Sequence, residues 1–473
     1  MDESLGMHIT TSAAHRGQHL ALIRRLSFFC IGISAILFRG VNNAGAQATQ
    51  AAAQDPGPPP GVRINPARPG SGADAQGRAY TRSSLGHWTN YDEAKASPYP
   101  LPDPLLLKNG QRVSDAQTWW TQRRPELVND FLTYMYGRIP ENTPKITWEV
   151  TATDPHALGG QAIMKRVVGH IDNSRYSQAK PSINITLFTP ANAAGPVPVM
   201  VVVTAGPGGY GAPRPQNRPT TQPAPRPGDP CYQLLAIGWG YATVEVGPIQ
   251  ADYAGGLTTG IIGLMSQGKP RKPDDWGALA AWAWGMSRAM DYFETDPSVD
   301  ARQVGIEGHS RYGKAALLTA ALDERFAIVF PSCSGEGGAK PSRRNWGETL
   351  DNIASSHWMA INFRQYAGHW NDLPVDSNEL IALVAPRPIF LTGGTKDQWA
   401  DPHGAFLAAV SADAVYTLLG KKGLGATQMP APDQALMSGE LAFRYHAGPH
   451  TDTLDWPTFL QFAQRYLKAP AAK

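Results

Sequence analysis

Apolar positions along the chain fall into two patterns, short unbroken runs and longer runs with helical spacing. Val197–Thr204 (Val-Pro-Val-Met-Val-Val-Val-Thr) is apolar at nearly every position, which predicts a strand buried on both faces. Residues 238–246, 326–331 and 388–392 predict further strands of this kind. Between them, residues 276–293 place Trp276, Leu279, Ala283, Met286, Met290 and Phe293 along one helical face. A last helix is predicted over 456–467, and 148–153, 165–171 and 183–188 read as antiparallel strands leading in. Apolar strands alternating with helices predict an α/β fold, a mostly parallel central sheet with helices on both faces.

The N-terminal part has a different pattern. Arg24 and Arg25 precede an apolar run over 26–38 that is too short to span a bilayer, and Ala44-Gly45-Ala46 offers a small-x-small cleavage site. Residues 1–46 are therefore expected to be a signal peptide, and the protein to be secreted or periplasmic, with no membrane association once the signal is removed. Residues 47–80, rich in Pro, Gly and Ala, read as a linker, and 81–473 as the folded domain. A Pro-rich stretch at 211–230 reads as a long loop insert.

Composition excludes several classes of function. With 42% hydrophobic and 17% charged residues, a net charge of +3 and no basic run, nucleic-acid binding is not expected. Only Cys231 and Cys333 follow the signal, too few for a disulfide framework, although an oxidising compartment could join them. The His446–His450 spacing is interrupted by Gly448-Pro449, so it is not a helical metal motif. No metal or cofactor is implied, nor any partner protein, and a monomer is expected.

The chemistry centres on Val304-Gly305-Ile306-Glu307-Gly308-His309-Ser310-Arg311-Tyr312-Gly313-Lys314. A strand running through a tight turn into a helix is the setting of a nucleophile elbow, where Ser310 is strained and faces the helix N-terminus. The spacing is Gly-x-Ser-x-x-Gly, with Tyr312 in the usual place of the second glycine. Taken alone, the turn is equally a helix-capping serine; the partners decide. Acid and base follow the serine in chain order in α/β hydrolases. Asp397, just beyond the strand at 388–392, is the expected acid, with Asp401 as runner-up or as a cap for the helix starting near Pro402. His450, at the end of a loop over 444–452, is the expected base, and His446 its rival. Ser310, His450 and Asp397 would then perform acyl transfer.

Several motifs in this order resemble the glucuronoyl esterases of carbohydrate esterase family 15. They are the elbow with Arg311 and Lys314, Asn345-Trp346-Gly347-Glu348, Ala385-Pro386-Arg387-Pro388, Asp397-Gln398-Trp399-Ala400-Asp401-Pro402 and Gly448-Pro449-His450. Tyr91-Asp92-Glu93, Leu101-Pro102-Asp103-Pro104, residues 119–125 and Tyr136-Gly137-Arg138 extend the similarity towards the N-terminus, so that it covers about 91–467. The resemblance implies an α/β-hydrolase fold and cleavage of the ester between 4-O-methyl-glucuronate on glucuronoxylan and a lignin alcohol. It implies that Arg311 assists the oxyanion, that Lys314 and Glu348 bind sugar hydroxyls, and that Trp399 offers a flat face to the pyranose.

One position departs from the family pattern. Many members carry a catalytic Glu after the strand that follows the elbow helix, and Cys333 aligns with it. A thiol supplies no fixed negative charge, so either Asp397 is the acid or Glu336 reaches in. An acetyl-xylan or other carbohydrate esterase would share the elbow, acid and base, but the joint presence of Lys314, Glu348 and Trp399 speaks against it. A catalytically silent carbohydrate-binding protein has only Cys333 in its favour.

Overall fold

The unbroken apolar runs form strands because each is covered on both faces. The computed structural model describes residues 88–96, 99–206 and 225–470, and the backbone of the short strands Arg63–Ile64, Ser71–Ala73 and Ala79–Arg82. The expected signal peptide lies outside the described residues, as does most of the Pro-rich insert; Pro230 opens a helix, Pro230–Ala236. Within the tract expected to be linker, the three short strands pair in antiparallel order with each other and with Trp88–Thr89. A ladder of this kind satisfies backbone hydrogen bonds without a large apolar face, so composition alone missed it.

The main sheet has ten strands. In chain order they are β1 (Ile146–His156), β2 (Ala162–Ile171), β3 (Ser182–Pro190), β4 (Val197–Thr204), β5 (Gly240–Glu245), β6 (Val299–His309), β7 (Ile328–Ser332), β8 (Ile389–Gly394), β9 (Ala435–Leu436) and β10 (Leu441–His446). The spatial order is β9-β10-β8-β7-β6-β4-β5-β3-β2-β1. The six strands from β10 to β5 run parallel, β3, β2 and β1 continue the sheet antiparallel, and β9 closes the other edge antiparallel to β10. This is an α/β-hydrolase fold, as the alternation of strands and helices predicts.

The helices that matter to the site are α1 (Ala278–Phe293), α2 (Arg311–Leu322), α3 (Pro402–Leu418) and α4 (Trp456–Ala463). The helix α1 begins two residues later than predicted because Gly277 is its N-cap. Fully buried Trp282 meets Tyr312 of α2 edge-on at 5.7 Å and donates its indole N–H to the Gln250 carbonyl at 2.7 Å. Burying an indole of this size contributes at most about 4–6 kcal/mol by area. Among the described residues no helix is long and apolar enough to cross a membrane.

Candidate active site

The elbow forms where β6 meets α2. Ser310 has φ 60° and ψ −126°, a left-handed conformation that non-glycine residues rarely adopt and that marks stored strain. Two glycines make the turn possible. A Cβ on Gly308 would lie 2.1 Å from the Tyr312 carbonyl oxygen, and one on Gly313 would lie 2.8 Å from that of Ser332. The second close approach falls at residue 313, which explains the Gly-x-Ser-x-x-Gly spacing and leaves Tyr312 free to pack in the core. The Ser310 N–H donates to Ser332 O at 2.9 Å, tying the elbow to β7.

The parallel strands bring the partner loops to the same end of the sheet. Asp397, beyond β8, and His450, beyond β10, meet through a 2.6 Å hydrogen bond between His450 Nδ1 and Asp397 Oδ2. Asp397 is buried and also accepts the Ala400 N–H at 3.3 Å. Both residues line a cavity of about 830 Å³ together with Ser310, Arg311, Lys314, Cys333, Glu348, Trp399 and Trp358. The described hydrogen bonds include none between Ser310 and His450; such bonds commonly tighten only when substrate binds. The His309 ring packs 4.3 Å from that of His450, and burial, then the nearby His450, pushes its pKa down to about 4, so His309 stays neutral.

The rivals for acid and base are occupied elsewhere. Asp401 caps α3 by accepting the Gly404 N–H at 3.0 Å and pairs with Arg344 at 2.8 Å. Fully buried His446 ends strand β10, where the sequence suggested a loop, and bonds Asp455 and the Pro449 carbonyl. Glu336 is buried against Lys340 at 3.0 Å and accepts from Ser342. Cys333, with φ 46°, faces the Thr451 carbonyl at 3.7 Å. Burial and then the charge of Asp397 push its thiol well above the usual range, which keeps it protonated and weakly nucleophilic. Cys231 and Cys333 are both free.

Lys314 is almost fully buried, and its three N–H bonds are spent on Ser334 O, Glu336 O and Glu348 Oε2 at 2.6–2.8 Å. Sequence reasoning missed the group that surrounds Arg311. Asp252 accepts from Arg311 at 3.0 Å, from the Trp358 indole at 2.7 Å, and bonds His357 Nε2 at 2.8 Å. The Arg311 guanidinium lies 4.8 Å from the Trp358 ring centre. These residues come from loops far from the elbow in sequence, so no local spacing could have revealed them. Tyr91 also lines the cavity, its phenol pushed up to about 12 by burial and then by Asp397.

The comparisons with known proteins agree with this architecture. Residues 271–420 match the family described as glucuronyl esterase, fungi. The chain is 36% identical over 408 residues to carbohydrate esterase MZ0003 from an unknown prokaryotic organism, covering 81% of this chain and 93% of that protein. It is 34% identical over 339 residues to 4-O-methyl-glucuronoyl methylesterase 1 of Wolfiporia cocos, covering 68% and 72%. Among solved structures it superposes on a family 15 glucuronoyl esterase from Teredinibacter turnerae with a TM-score of 0.73 and 40% identity, covering 80% and 92%. Fold, elbow and relatives agree, and the chain belongs to the glucuronoyl esterases of carbohydrate esterase family 15, which are carboxylic ester hydrolases.

Proposed function

We propose that this protein hydrolyses esters of 4-O-methyl-glucuronate by acyl transfer through Ser310, His450 and Asp397. The observation that carries the reading is the 2.6 Å His450–Asp397 bond in the cavity that the strained Ser310 also lines. His450 takes the Ser310 proton as Oγ attacks the ester carbonyl, and Asp397 holds the ring and balances the imidazolium. The alcohol leaves with that proton, and water then releases the uronate by the same steps in reverse. Backbone N–H groups at the start of α2 and the Arg311 guanidinium hold the oxyanion. Glu348, fixed by saturated Lys314, bonds sugar hydroxyls, so Lys314 acts through it; Trp399 offers a flat apolar face to the pyranose.

The natural bond is that between glucuronate on glucuronoxylan and a lignin alcohol. The enzyme acts as a monomer outside the cytoplasm, released by cleavage near residue 46. Arg24-Arg25, the short apolar run and Ala44-Gly45-Ala46 support export.

The test is hydrolysis of a benzyl ester of glucuronic acid beside acetylated xylose, with wild type, Ser310→Ala and Asp397→Ala. The glucuronate ester should be cleaved and the acetyl ester spared, and each variant should lose about 10³-fold or more in kcat. Full activity in Asp397→Ala would remove Asp397 from the mechanism. Preference for the acetyl ester would make the protein an acetyl esterase instead.

A further inference from the structure

Cys333, Asp397 and His450 stand beyond the ends of three adjacent parallel strands, β7, β8 and β10. A thiol sulfur, a carboxylate oxygen and a ring nitrogen from these residues lie within 4.8 Å of one another. All three residues line the cavity that holds Ser310, so a dissolved ion has a route to them. Sulfur, oxygen and imidazole nitrogen together form a ligand set for zinc. Metal–ligand distances of about 2.0–2.3 Å in a tetrahedral site put ligand atoms about 3.3–3.8 Å apart. The His450–Asp397 contact of 2.6 Å would have to open by roughly 1 Å to reach that spacing. The cluster is thus near the required geometry without being closed to an ion.

We propose that Cys333, Asp397 and His450 form an inhibitory site for thiophilic divalent cations, Zn²⁺ in particular, with water or substrate oxygen as the fourth ligand. Binding releases the Cys333 proton to solvent and forms a thiolate–metal bond. If His450 ligates through Nδ1, its proton moves to Nε2, and the ring can no longer accept the proton of Ser310. If it ligates through Nε2, the metal occupies that lone pair directly. Either way the base is consumed and Asp397 is diverted from it. A glutamate at residue 333 would offer only hard oxygen, so the thiol is what gives the site its preference for soft cations. The inhibition rests on reading His450 as the base, whereas the binding itself does not.

The test is a titration of the purified full chain with ZnCl₂ and, separately, MgCl₂, using wild type, Cys333→Ser and Cys333→Ala. Each protein's rate on the benzyl glucuronate ester is scaled to its own metal-free rate. Zinc should inhibit wild type and EDTA should restore it. Magnesium at the same concentration should do nothing. Both variants should raise the half-inhibitory zinc concentration by at least about tenfold, since even loss of an outer-shell partner costs about 10–100-fold in affinity. In parallel, Co²⁺ should give wild type a thiolate-to-metal charge-transfer band that both variants lack. Equal zinc sensitivity in the three proteins, or a cobalt band that survives in the variants, would overturn the site. A cobalt band that is lost with Cys333, in a protein that cleaves neither ester, would uphold the metal site and refute the catalytic reading.

Discussion

At the scale of single residues, the site depends on which group supplies negative charge to His450. Asp397 is the carboxylate bonded to its ring, and Cys333 stands beside that pair as a neutral thiol. Because their ligand atoms lie within 4.8 Å of one another, a carboxylate at residue 333 should reach the same imidazole. Cys333→Glu in the Asp397→Ala background is therefore expected to recover at least about tenfold of the roughly 10³-fold loss. A double variant no faster than Asp397→Ala would mean that residue 333 cannot serve His450. In the proposed mechanism Asp252 would act by positioning Arg311. It holds the Arg311 guanidinium and the Trp358 indole, so Asp252→Asn should lower kcat about 10-fold with little change in KM, less than the 10²–10³ of losing an oxyanion donor outright. A change confined to KM would place Arg311 in ground-state binding instead. The sequence made Ser310, Asp397 and His450 legible because chain order and strand ends constrain them. It gave no sign of Asp252, whose contacts are made 59 and 106 residues away.

At the scale of elements, the loop that carries His450 is held by the strand before it. His446 ends β10 and bonds Asp455 through Nδ1 at 3.0 Å and the Pro449 carbonyl through Nε2 at 2.8 Å. Neither acceptor has a proton to give, so both bonds form only when the ring carries two protons. Burial alone would lower its pKa, but the hydrogen bonds to Asp455 and Pro449 and the charge of Asp455 outweigh it, and the pKa is raised. A raised folded-state pKa gives stability that is complete below the unfolded value of about 6.5 and is lost as pH rises through the folded value. The melting temperature of wild type should thus fall as pH climbs beyond the ordinary histidine range. His446→Asn should lack that component, and matching pH profiles for the two proteins would exclude it. The sequence offered His446 as a second base because spacing cannot tell a solvent-facing imidazole from a buried one.

At the scale of the whole molecule, sheet order decides what can meet. Cys231 packs with Ala157, Ala162 and Phe188 beside the antiparallel strands, whereas Cys333 lines the active-site cavity among the parallel ones. Both thiols are free and buried in separate places, so an oxidising compartment would not join them. Reductant should leave the melting temperature unchanged, and peptide mapping should find Cys231 and Cys333 unlinked. A reductant-sensitive melting temperature with a Cys231–Cys333 peptide would contradict this topology.

The apolar runs by themselves determined the strands, because a strand covered on both faces needs little beyond unbroken hydrophobicity and correct length. The elbow was equally local: Gly308, Ser310 and Gly313 act within one turn, and their steric demands are written in their spacing. Only the tertiary structure decided which of the chemically equivalent candidates meet. That Asp397 bonds His450 while Asp401 caps a helix, His446 bonds Asp455 and Glu336 is sealed against Lys340 follows from where parallel strand ends converge and which side chains the packing buries. Contacts over such distances depend on the sheet order, which no local pattern encodes. The cluster of Cys333, Asp397 and His450 is invisible in the chain for the same reason.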